Sequence, residues 1–92
     1  MKRRTQLIPG AQTESQTRCR LTVRGQVQGV GFRPYVYRLA REMNLAGHVS
    51  NDASGATIEV QGPAATVDLF CGRLVRELPP LAEIADLRRE PL

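Results

Sequence analysis

Ninety-two residues, 41% of them hydrophobic and 24% charged, suit one small folded domain and argue against intrinsic disorder. A formal net charge of +4 is too weak for the basic stripe that a long polyanion requires, and it fits a small anionic ligand better. Lys2 is the only lysine, which argues against Schiff-base and P-loop lysine chemistry; two distant cysteines (Cys19, Cys71) and one histidine (His48) make neither a disulfide framework nor a metal site.

Residues 1–17 carry neither helical nor strand periodicity and read as a flexible leader ahead of a domain at 18–92. The leader opens on basic residues but lacks the apolar core of a signal peptide, and no apolar run approaches membrane-spanning length. With both thiols expected to stay reduced, a cytoplasmic location is the default, with no membrane partner.

The first strand is expected over Arg18–Arg24, with Cys19, Leu21 and Val23 inward and Arg18, Arg20, Thr22 and Arg24 outward on a solvated face. A glycine loop follows, Gly25-Gln26-Val27-Gln28-Gly29-Val30-Gly31. Phe32, Val36, Leu39, Ala40 and Met43 then trace one stripe of a helix from Phe32 to Asn44. Pro34 is tolerable only in a first turn, which places the helix start, and Asn44 and Gly47 offer the stop. A short strand at Gly47–Asn51, a hairpin turn at Asn51–Gly55 and a strand at Ala56–Gln61 come next, the last with Ala56, Ile58 and Val60 inward. Gly62-Pro63 opens a second helix to Leu78, with Val67, Phe70, Cys71, Leu74 and Leu78 as its stripe; Pro79-Pro80 ends it. Gly72 inside that helix costs about 1 kcal/mol against alanine unless close packing requires it. The last strand, Ala82–Arg89, breaks alternation between Ile84 and Leu87, which predicts a bulge. The order βαββαβ predicts an α+β, ferredoxin-like sandwich: a four-stranded antiparallel sheet with both helices on one face.

Glycines in the loop permit backbone conformations that turn several N–H groups toward one point. The start of a helix behind the loop adds partial positive charge, and Arg33 adds a full one. Together they predict a site for a phosphate-sized anion.

Two blocks, Gly25-x-Val27-Gln28-Gly29-Val30-x-Phe32-Arg33 and Gly47-x-Val49-x-Asn51-x-x-x-Gly55, resemble the signature of the acylphosphatase family over residues 18–90. Within it, Arg33-Pro34-Tyr35-Val36-x-x-Leu39-Ala40, Asn44-Leu45-x-Gly47-x-Val49-x-Asn51-Asp52 and Pro79-Pro80-Leu81-Ala82-x-Ile84 resemble the amino-terminal domain of HypF-type carbamoyltransferases, which serve hydrogenase maturation. The resemblance implies hydrolysis of an acyl phosphate, with carbamoyl phosphate as substrate and further domains of a longer chain as partners. It also implies that Arg33 holds the phosphate, that Asn51 orients the attacking water, and that backbone amides of Gln28, Gly29, Val30, Gly31 and Phe32 cradle the phosphate oxygens. No metal or cofactor is called for, because the acyl group leaves readily and the work is binding charge and aligning water. Asp52 reads as a turn residue, His48 as a packing or surface residue, and Tyr35 and Tyr37 as helix-packing and surface residues.

Two alternatives share the scaffold. One is a non-catalytic phosphate- or sulfate-binding or docking module. The other is an RNA-binding module, which the absence of aromatics from Arg18–Arg24 and Ala56–Gln61 argues against, so no nucleic-acid partner is expected.

Overall fold

In the computed structural model, which describes residues 16–92, the elements run β1 (Gln16–Gln26), α1 (Phe32–Glu42), β2 (Ala46–Asp52), β3 (Gly55–Pro63), α2 (Ala64–Arg76) and β4 (Glu83–Pro91). The strands form one sheet in the order β2-β3-β1-β4, with every neighbouring pair antiparallel. Each helix links two strands that are separated in the sheet by a third, so the two βαβ units interlock as expected of a ferredoxin-like sandwich.

Alternation decides the layers. Cys19, Leu21 and Val23 of β1 and Ala56, Ile58 and Val60 of β3 are buried, as the period-two pattern predicts. Against them lie Phe32, Tyr35, Val36 and Leu39 from α1 and Val67, Phe70 and Leu74 from α2, all in one core. Ala40, Met43, Cys71 and Leu78 finish the two predicted stripes from half-buried positions. The other sheet face is polar, with Arg18 and Arg20 paired to Glu59 at 3.2 Å each.

Several boundaries differ from the sequence reading. Residues 1–15 of the expected leader lie outside the described residues, while Gln16 and Thr17 belong to β1. They pair with Pro63 and Gly62, so β3 runs on through the dipeptide expected to open the second helix, and α2 begins at Ala64. α2 also ends at Arg76 rather than Leu78, because Leu78 precedes a proline and is disfavoured in helical conformation. α1 stops at Glu42, two residues early, and Asn44 takes a left-handed φ of 57° just beyond it. In β4 the predicted bulge is present: Arg24 faces Asp86 but Gly25 faces Ile84, so Ala85 is the extra residue. That insertion lets Ile84 and Leu87, three apart, both pack on the core.

Candidate active site

The loop between β1 and α1 and the end of β2 enclose an open cleft of about 230 Å³ lined by Val27, Gln28, Gly29, Gly31, Phe32, Arg33, Pro34 and Asn51. That volume is below the roughly 300–1,000 Å³ of sites for drug-sized ligands, so the cleft suits a small molecule. A separate apolar hollow of about 80 Å³ between α1 and β2 shares no residue with it.

The loop has its shape because two glycines take backbone conformations closed to other residues without strain. Gly29 has φ 73°, and Gly31, which caps α1, has φ 76° and ψ 20°. A side chain at either would meet no atom, so the requirement lies in the backbone. No side chain caps α1, and among the described residues the N–H groups of Gln28 through Arg33 find no protein acceptor. Buried loops satisfy such donors internally; a loop on a cleft leaves them for water or an anion. Pro34 sits in the first helical turn, where its missing N–H forfeits no intrahelical bond.

Arg33 is exposed at the cleft and has no carboxylate partner among the described residues. Asn51 reaches the same cleft from near the end of β2 and is half-buried. Its Nδ2 donates to the carbonyl oxygen of Val27 at 3.3 Å. A carbonyl can only accept, so this contact fixes which way the carboxamide faces. Oδ1 is left as an acceptor with no protein donor among the described residues.

The structure thus brings Gln28, Gly29, Gly31, Phe32, Arg33 and Asn51 around one space. Val30 is different: its side chain is half-buried and packs on the core rather than lining the cleft. Sequence reasoning missed Val27, whose carbonyl orients Asn51. It named Val27 only as part of a motif, and the direction of a backbone carbonyl is not written in residue types.

The neighbours of the site have structural roles. Asp52 Oδ1 accepts from Ser54 N and Ser54 Oγ at 2.8 Å each and from Gly55 N at 3.2 Å, closing the β2–β3 turn as expected. The Ser54 hydroxyl bond, followed by its N–H, holds the Asp52 carboxyl below its ordinary range. His48 is exposed, with Nε2 4.0 Å from Glu59, on the polar sheet face. Among the described residues no group of three or more His, Cys, Asp or Glu side chains is arranged to hold a metal ion. No helix of the described residues is long and apolar enough to cross a membrane.

Comparison with known proteins matches the acylphosphatase family to residues 19–92. Carbamoyltransferase HypF2 from Cupriavidus necator is 56% identical over 73 residues, covering 79% of this chain and only 9% of that protein. An acylphosphatase from Caldivirga maquilingensis is 38% identical over 79 residues, covering 84% of this chain and 82% of that one. A solved structure of full-length HypF in a phosphate- and nucleotide-bound form matches with a TM-score of 0.80 and 33% identity, covering 87% of this chain and 11% of that chain. The chain therefore spans a small part of its carbamoyltransferase relatives and most of its acylphosphatase relative.

Proposed function

The chain belongs to the acylphosphatase family, and on that premise we propose that it hydrolyses acyl phosphates in the cleft between Arg33 and Asn51. The substrate we propose is carbamoyl phosphate, and the setting is a longer HypF-type carbamoyltransferase whose later domains use the carbamate. One observation carries this reading. A run of N–H groups, a guanidinium and a carboxamide oxygen, all without partners among the described residues, meet on one small space.

Each group has a task in this scheme. The dianionic phosphoryl group sits on the N–H groups of the loop and α1 start, with two oxygens gripped by Arg33. Asn51 Oδ1 accepts a hydrogen from water and holds its oxygen in line with the bond to be broken. A carboxylate there would repel the phosphoryl oxygens; the amide does not. Water oxygen bonds to phosphorus as the bond to the acyl oxygen breaks. The carbamate leaves with that electron pair, and the water protons end on the phosphate, giving carbamate and dihydrogen phosphate. Fixed dipoles and one charge stabilise the spread negative charge of a loose transition state, so the scheme needs no metal and no covalent intermediate.

Phosphate release from carbamoyl phosphate and from benzoyl phosphate, with chelator present, tests the proposal. The wild-type chain is expected to exceed buffer, and Arg33→Ala is expected to return it to near background. A chain that is protected against heat by phosphate yet releases none from either substrate is an anion-binding module and not a hydrolase. Carbamate transfer is a separate matter, tested by supplying the longer chain.

A further inference from the structure

Cys19 faces the core from β1 and is 1% exposed. α2 lies over that face, and Cys71 on it is half-buried and packed against the same core. Pro63, where β3 gives way to α2, pairs with Gln16, so α2 starts beside that end of β1 and runs back along it; helix and strand rises of about 1.5 and 3.3 Å per residue then bring Cys71 to the level of Cys19, and both thiols are free. Arg89 stands beside them: it pairs in register with Leu21 on β1, and its guanidinium reaches Asp68, one turn before Cys71, at 2.8 Å. Burial pushes the Cys71 thiol up from its ordinary value, and the Arg89 guanidinium opposes that push. None of these groups lines the cleft. The pair is graded in access, Cys71 being half-buried and Cys19 buried.

We propose that Cys19 and Cys71 are a reversible redox pair that closes to an intramolecular disulfide on meeting a small-molecule disulfide. The Cys71 thiolate attacks one sulfur of the reagent and expels the other half as a thiolate, leaving a mixed disulfide on Cys71. The Cys19 thiolate then attacks the Cys71 sulfur and expels the second half. Two protein thiols are oxidised, one disulfide is reduced to two thiols, and each departing thiolate takes up one of the released protons. Arg89 favours the Cys71 thiolate at the first step by its charge. The new bond ties α2 to β1 and closes a loop of about fifty residues, which restricts the unfolded chain.

Oxidised glutathione is the probe, applied to the 92-residue chain, with intact mass and free-thiol count as readouts independent of catalysis. The expected product is lighter by two hydrogens, carries no glutathione, has both thiols blocked and yields a crosslinked Cys19–Cys71 peptide. Its Tm is expected to rise by about 10 °C and to fall back with dithiothreitol. Cys19→Ala is expected to stop at a glutathione adduct on Cys71, whereas Cys71→Ser is expected to resist the reagent while folded. Wild-type chain that keeps both thiols, retains the glutathione adduct or links to a second copy through sulfur overturns the proposal. So does equally fast reaction of folded Cys71→Ser.

Discussion

Arg33 opens α1 and Arg73 lies in the last turn of α2, and their surroundings differ in kind. At the end of α2, Arg73 is bound by Glu77 at 2.9 and 3.0 Å and by Glu42 of α1 at 3.2 Å. Those hydrogen bonds, Glu77 first, raise its pKa above its ordinary value. Beside it the Tyr35 hydroxyl donates toward the carbonyl oxygens of Leu74 at 2.7 Å and Arg73 at 3.1 Å, the latter also accepting from Glu77 N at 2.9 Å. At the start of α1, among the described residues, Arg33 has no carboxylate, Gly31 supplies no side-chain cap, and the loop amides have no acceptors. One end completes its hydrogen bonds within the fold. The other leaves its donors open, and an end left open on a cleft is what an anion requires. The same residue type therefore has a structural role in one place and a functional one in the other, and only its neighbours tell them apart.

The largest expected effect breaks the open end. Arg33→Ala is expected to lower kcat/KM for an acyl phosphate by about a thousandfold. Tm should stay within about 2 °C, since Arg33 has no partner among the described residues to lose. Arg33→Lys is expected to recover little, because an ammonium cannot span two oxygens. Activity unchanged in Arg33→Ala by steady-state kinetics would remove the guanidinium from the mechanism. Next comes Asn51→Ala, with an expected loss of about a hundredfold carried by kcat rather than KM, because a water-orienting group acts at the transition state. A loss confined to KM would assign Asn51 to substrate binding instead.

The closed end gives the converse. Tyr35→Phe removes a buried hydroxyl and deprives the Leu74 carbonyl of its donor, which is expected to cost about 1–2 kcal/mol in urea denaturation. Activity per folded molecule should not change. Burial, then the nearby Glu77, keeps the Tyr35 phenol above its ordinary pKa, so it stays a donor throughout the neutral range.

Much of this division was legible in the chain, though not all for the same reason. Alternation in Cys19–Val23 and Ala56–Val60 marks the core face because a strand has a strict period of two. The broken alternation at Ile84 and Leu87 announces its own bulge. Helix ends were less legible: Gly62-Pro63 has the chemistry of a helix start, but pairing with Gln16 and Thr17 across the sheet keeps it extended. Tertiary pairing outweighed local preference there. In the site, Arg33 and Asn51 could be named because the chemistry needs those residue types. That Val27 offers Asn51 its carbonyl, or that Arg73 is paired and Arg33 is not among the described residues, depends on which distant groups the fold brings near. No local pattern encodes that.

Two smaller effects sharpen the comparison on α2 and the sheet. An alanine Cβ at position 72 would meet only the flexible Arg76 guanidinium within 3 Å, so no tight packing requires the glycine. Gly72→Ala is therefore expected to stabilise by about 0.5–1 kcal/mol through helix propensity, with kcat/KM unchanged. A destabilised variant in urea would mean that Arg76 cannot move aside. The acid dependence is weaker, since the groups involved are exposed. Arg73 holds the Glu77 carboxyl below its ordinary range, and Arg20 does the same for Glu59. A carboxyl with a lowered folded pKa contributes stability above its unfolded value, near 4.3, and loses it as pH falls through the folded value. Tm is therefore expected to hold from neutral pH to about 5 and to decline below that, as the Arg73–Glu77 and Arg20–Glu59 bonds protonate. In Arg73→Gln that decline should be shallower, whereas Arg33→Gln should leave it unaltered, because among the described residues Arg33 has no carboxylate to release; equal slopes for both variants would erase the distinction between the two ends.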